Sequence, residues 1–116
     1  MSLRDPAKYL ADIQEQCLWI QQNVKGQSLK DFLGDGLLRP ALERKLEIVG
    51  EALNQMLKLE PSLELKITDA KKIIAFRNRL IHGYSDLDPE IVWGAATEKV
   101  PGLLAEIEEL LKERRD

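Results

Sequence analysis

The stretch LADIQEQCLWIQQNV, residues 10–24, decides the fold class. Its apolar positions Leu10, Ile13, Cys17, Ile20 and Val24 recur at alternating steps of three and four residues. A strand would alternate with period two. This spacing instead returns to one face of a helix, as in a helical bundle. Upstream, Asp5-Pro6 supplies an N-cap oxygen and a proline for the first helical position. Downstream, Gly26 supplies a stop.

The same period continues outward. Ser28-Leu-Lys-Asp31 reads as a capping box with Asp in the acidic place, opening a short helix that Gly34 and Gly36 end. Leu38, Leu42, Leu46, Val49, Leu53 and Met56 mark a third and longest helix, stopping before Pro61. Glu60 to Ile67 reads as a loop. Thr68 or Asp69 then caps a fourth helix carrying Ile73, Phe76 and Leu80 on one side, with Ile74 and Ile81 nearby. That helix ends around His82–Gly83. Asp88-Pro89 repeats the start signal. The last helix carries Val92, Ala96, Val100, Leu103, Ile107 and Leu110, with Pro101 expected to bend it. No strand pattern or repeat is present. The expectation is an all-α, antiparallel up-and-down bundle of four long helices and one short one, a single domain over residues 1–116. Leu18, Trp19, Ile48, Leu57 and Trp93 fall off these stripes and suggest a self-association surface.

Composition bounds the function. The chain is 44% hydrophobic and 32% charged, which excludes collagen-like and disordered classes. Cys17 is the only cysteine, so a disulfide scaffold is excluded. No apolar run approaches the ~20 residues that span a bilayer, and the polar N-terminus lacks a signal-peptide core. A cytoplasmic chain with a reduced thiol is expected, with no membrane association. The net charge of −3 argues against a general nucleic-acid coat. The charge is uneven, however. Between Lys66 and His82 there are five basic residues, Lys66, Lys71, Lys72, Arg77 and Arg79, and one acid, Asp69. A local cationic site on an acidic body fits this pattern.

One segment concentrates chemistry: Ala75-Phe-Arg-Asn-Arg-Leu-Ile-His-Gly-Tyr84. It holds two guanidiniums, an amide, the only histidine and one of two tyrosines. Histidine moves protons near neutral pH. Arginine grips phosphate through a planar fork and keeps its charge as negative charge develops. Together they suit attack of an RNA 2′-hydroxyl on the adjacent phosphate, for which RNA supplies the nucleophile and no metal is needed. On an ideal helix, Arg77 and His82 point roughly 140° apart, whereas Asn78 and His82 share a face. Either the helix loosens at Gly83, or a second chain completes the site. A two-fold dimer would bring two His82 and two Arg77 into one cleft. One His and one Cys far apart make no zinc ligand set, so neither metal nor cofactor is expected. The plainer reading makes His82 a helix-end residue near the dipole, leaves Arg77 and Arg79 solvated, and gives Tyr84 a packing role. Glu51, a carboxylate in a long apolar helix, either pairs with Arg77 or Arg79 and aims a guanidinium, or faces solvent. Cys17, on the first stripe, reads as core.

The segment resembles the Arg-(four to six residues)-His motif of the HEPN ribonuclease superfamily, and more closely the Arg-x4-His-x-Tyr form of HepT-type toxins. Arg77, His82 and Tyr84 match its defining positions, and Asn78 matches the polar residue that often follows the arginine. Leu46-Glu-Ile-Val-Gly-Glu-Ala52 and Asp88-Pro-Glu-Ile-Val-Trp93 resemble flanking segments of the family. The likeness runs from about Asp5 to Arg114. The resemblance implies an all-helical homodimer with a metal-independent RNA-cleaving site across its interface. It further implies a toxin encoded beside a minimal nucleotidyltransferase, MntA, which silences it by transferring AMP to the motif tyrosine. Arg77 and His82 would then be catalytic, Asn78 orienting, and Tyr84 the adenylylation site. The rival expectation is a non-catalytic helical subunit that recognises substrate for such a nucleotidyltransferase. A plain assembly protein comes third.

Overall fold

The computed structural model describes residues 5–82 and 87–115, and they form an all-α bundle. Helix α1 spans Pro6–Val24, α2 Leu29–Gly34, α3 Leu38–Leu59, α4 Ala70–His82, α5 Pro89–Gly94 and α6 Val100–Arg115. A 3-10 turn at Pro61–Lys66 joins α3 to α4, and a π-helical turn at Ala95–Lys99 joins α5 to α6. No strand occurs among the described residues.

The start signals act as the residue types require. The Asp5 carboxylate accepts from the Ala7 N–H at 2.8 Å, and Asp88 accepts from Glu90 at 2.9 Å. Ser28 and Asp31 form the reciprocal capping box of α2. Gly26 carries the chain out of α1 at φ 76°, which a side chain would resist. Asp35 accepts from both Leu37 and Leu38 N–H groups at 2.9 Å, so it caps the start of α3. Those bonds to the charged form hold its carboxyl below the usual range.

Two connections differ from expectation. The Glu60–Ile67 stretch is a 3-10 turn rather than an open loop, with Leu63 buried beneath it. Thr68 gives its hydroxyl to Glu106 of α6, at 2.6 Å, instead of turning back on α4. The break in the last helix also precedes Pro101. Val100 N–H bonds the Ala95 carbonyl five residues back, which widens the turn. A proline ring collides with the carbonyl four residues before it, here Thr97, and the wider turn relieves that collision.

The core is built from the predicted stripes. Leu10, Ile13, Cys17 and Ile20 of α1 meet Leu42, Val49, Leu53 and Met56 of α3 and Ile107 of α6, all essentially inaccessible. Phe32 anchors α2 by stacking on Trp93, with ring centroids 5.0 Å apart. Lys45 lies over the Trp19 ring, 5.0 Å from its centroid. Both tryptophans are therefore engaged within the chain, and among the off-stripe residues Leu18 is the one left largely exposed. Helix α1 packs on α3 and α6, whereas α4 lies chiefly along α3. Only Ala70 and Leu80 of α4 are buried, with Ile73 and Phe76 half-buried. The helix carrying the basic segment is thus laid along the outside of the bundle.

Candidate active site

Helices α3 and α4 are in close contact at Gly50. A Cβ built there would lie 2.3 Å from Arg77 Cβ and 3.3 Å from the Ile73 carbonyl oxygen. Nothing larger than hydrogen fits, so the glycine lets the Arg77 stem press against α3. The next residue on α3, Glu51, receives the guanidinium. Arg77 Nη2 donates to Glu51 Oε2, and Nη1 donates to Asn78 Oδ1 at 2.7 Å. One turn further along α3, Gln55 Nε2 donates to the other Glu51 oxygen at 2.9 Å.

This chain of contacts fixes what the arginine can still do. A guanidinium has five N–H donors. One goes to Glu51 and one to Asn78, while Nε is buried with no partner among the described residues. One N–H on each terminal nitrogen remains. Such terminal N–H groups can donate to phosphate oxygens. Glu51 is held ionised: the Gln55 hydrogen bond, and then the Arg77 charge and hydrogen bond, pull its carboxyl below the ordinary value. Of the two readings of Glu51, the structure contains the pair with Arg77.

The other expected residues are placed differently. Helix α4 stays regular through its last residue, His82, which is exposed. The imidazole therefore leaves the axis roughly 140° from Arg77, on the side facing away from α3. One copy of the chain does not bring the two together. Arg79 is exposed and forms no ion pair among the described residues. Tyr84 lies outside the described residues. The basic stretch is partly neutralised, since Lys66 pairs with Glu113 at 3.8 Å and Lys71 with Glu64 at 3.7 Å.

Two concavities flank α4. A cavity of about 340 Å³, lined by both apolar and charged side chains, opens in front of Arg77, walled by α1, α3 and α4. On the opposite side, an open groove of about 690 Å³ runs between α4 and the α5–α6 arm. Its floor is apolar, with Leu46, Ile73, Phe76, Ile91 and Leu103, and its rim carries both Lys72 and Lys99 and the acids Glu90 and Glu98.

Gly50 and Gln55 were not singled out by sequence reading. A glycine in the middle of a long helix is one signal, because it costs about 1 kcal/mol relative to alanine and calls for a packing reason. A glutamine four residues after a glutamate is the other.

Comparison with known proteins adds independent findings. The family model described as Ribonuclease HepT-like matches residues 13–110. A candidate RNase of Caldanaerobacter subterraneus subsp. tengcongensis is 32% identical over 97% of this chain and 100% of its own length. A protein of Thermococcus cleftensis named as a probable HepT ribonuclease is 31% identical, covering 94% of this chain and 98% of its own. A candidate RNase of Methanocaldococcus jannaschii is 30% identical over 97% and 93% of the two chains. No solved structure gives a significant match.

Proposed function

The chain belongs to the HepT-like ribonuclease family, and from that premise we propose that it is a metal-independent endoribonuclease acting as a homodimer. The observation that carries the reading is the Arg77 guanidinium, anchored by Glu51 and Asn78 with two N–H groups still to offer.

In this reading, His82 of one copy takes the proton from an RNA 2′-hydroxyl. The 2′-oxygen attacks the adjacent phosphorus. Arg77 holds the charge that builds on the non-bridging oxygens. The bond to the 5′-oxygen breaks, and His82 of the second copy protonates that leaving oxygen. The products are a 2′,3′-cyclic phosphate and a 5′-hydroxyl. Arg79 adds long-range attraction for RNA. The divergence of Arg77 and His82 on α4 supports assembly of the site from two copies. The groove beside α4 supports it as well, because its apolar floor is surface that burial against a second copy would stabilise.

Control follows the same chemistry. We take Tyr84 as the acceptor of AMP from a minimal nucleotidyltransferase of the MntA type, which makes the chain the toxin of a toxin–antitoxin pair. Phosphates attached two residues from His82 would repel RNA from the cleft. The rival, a non-catalytic subunit of that transferase, is favoured by the net charge of −3 alone.

The test is direct. Purified protein in EDTA is expected to convert RNA to fragments ending in 2′,3′-cyclic phosphate. His82→Ala should lose at least a hundred-fold, roughly the share of acid–base catalysis, at an unchanged thermal midpoint. Intact RNA after prolonged incubation with the wild-type dimer would favour the binding subunit.

A further inference from the structure

The cavity in front of Arg77 has no role in the cleavage scheme above. We propose that it is a nucleobase subsite selecting a base with an exocyclic amino group, cytosine over uracil among the pyrimidines; this rests on the ribonuclease reading.

At about 340 Å³ the cavity falls at the lower end of the ~300–1,000 Å³ range of small-molecule sites. Arg77 forms part of its wall. A phosphate on the two open Arg77 N–H groups would set the attached nucleoside at the cavity mouth. Ile81 of α4 lies among the lining residues and offers apolar surface to a base face. The polar lining is rich in acceptors. Glu47 and Glu51 set two carboxylates against the guanidiniums of Arg44 and Arg77. That balance leaves no surplus of positive charge for a second phosphate and suits a neutral group with N–H donors.

Glu47 is the acceptor in the right place. It precedes Glu51 by one turn on the same face of α3, about 5–6 Å away at Cβ. Its carboxylate is half-buried and meets Arg44 only at 3.7 Å, an ionic contact too long for a hydrogen bond. It accepts no hydrogen bond among the described residues. A partly buried carboxylate with unspent acceptor capacity gains from an N–H donor. Cytosine presents an N4 amino group at the edge where uracil presents a carbonyl oxygen. The two rings are alike in size, so the carboxylate discriminates by sign: it attracts one edge and repels the other.

The test measures binding, so it does not depend on cleavage. The ¹⁵N-labelled full chain is titrated with trinucleotides of 2′-deoxyribose, which cannot undergo 2′-oxygen attack, with cytosine or uracil in the centre. The Gln55 side-chain amide, in the cavity wall, is the local reporter. Cytosine is expected to bind about ten-fold more tightly and to shift that amide. Glu47→Ala should bring cytosine to the level of uracil, with the thermal midpoint of the protein unchanged. Equal affinities, a silent Gln55 amide, or a preference that survives Glu47→Ala would each overturn the proposal. RNA cleavage without any such preference removes the subsite and leaves the ribonuclease reading standing. Cytosine-selective binding by a protein that never cuts RNA does the reverse.

Discussion

Gly50 and Glu51 are neighbours on α3 with opposite tasks: one vanishes so that Arg77 can approach, the other receives its charge. In an ordinary helix interior, Gly→Ala stabilises by roughly 0.5–1 kcal/mol. At Gly50 the added methyl would meet Arg77 Cβ at 2.3 Å, and neither backbone can yield cheaply. Gly50→Ala should therefore destabilise by about 1–3 kcal/mol, the usual cost of overpacking, and lower RNA cleavage by displacing Arg77. Gly102→Ala in α6, where the new Cβ meets nothing within 4 Å, should shift the urea midpoint the other way. A stabilising shift from Gly50→Ala, like that expected of Gly102→Ala, would show that the close approach is not as described. Glu51 makes a pH prediction. Its carboxyl is lowered from the ordinary 4.5, first by Gln55 and then by Arg77. A lowered acid stabilises fully above its unfolded value and loses that contribution as pH falls through the folded one. The anchor on Arg77 is thus intact at neutral pH and lost only in acid. An NMR titration should place the Glu51 midpoint below 4.5 in the wild type and higher in Gln55→Ala. An unmoved midpoint would remove Gln55 from the network.

Element by element, the sequence is legible wherever the cause is local. The stripe of α1, the capping box of α2 and both Asp-Pro starts depend on residues within one turn, and each appears as read. Ser28 gives this a magnitude. Its hydroxyl accepts from Asp31 N–H at 3.1 Å, and α2 has only six residues over which to recover the loss of a cap. Ser28→Ala should cost about 1 kcal/mol in urea unfolding, with faster amide exchange confined to α2. A uniform change across the bundle would mean that α2 is held by the Phe32–Trp93 stack and not by its cap. What could not be read has a distant cause. Thr68 turns to Glu106, 38 residues on, because α6 passes beside it. The Gly50–Arg77 approach joins positions on two helices whose crossing no local pattern fixes. The two readings of Glu51 differ only in the rotation of α3 relative to α4. The Pro101 break was legible as an event, but its form, a widened turn one step earlier, depends on how α5 and α6 both dock. Within the candidate site, the motif residues were legible and Glu51 was legible as one of two readings, whereas Gly50 and Gln55, which let Arg77 approach and hold Glu51, were not. Tyr84 lies outside the described residues, so its part rests on the resemblance alone.

At the scale of the molecule, the design separates a closed core from a working edge. No helix among the described residues is long and apolar enough to cross a membrane. Helices α1, α3 and α6 enclose the inaccessible residues, while α4 lies outside with Arg77 on one flank and His82 on the outer face. Cys17 reports on the enclosed part. It is 0% exposed, and burial, reinforced by the Glu108 charge, pushes its thiol up to about 12 from 9.0. Such a thiol is inert as a nucleophile at neutral pH. Its raised value also links stability to alkali. Between pH 9 and 12 the unfolded chain releases the thiol proton and the folded chain keeps it. The unfolded state then binds fewer protons, so stability falls as pH rises, by roughly 1 kcal/mol per pH unit from this group. Lysines and tyrosines titrate in the same range, so the informative quantity is a difference. Cys17→Ala should be less stable at pH 7, through the lost sulfur contacts, yet its stability should decline less steeply above pH 9. In parallel, alkylation of wild-type Cys17 at pH 7 should proceed only as fast as the bundle opens, and RNA bound at the α4 edge should not accelerate it. Parallel alkaline slopes for the two proteins, or rapid alkylation of the folded chain, would place Cys17 outside the enclosed core and undo the division between core and edge.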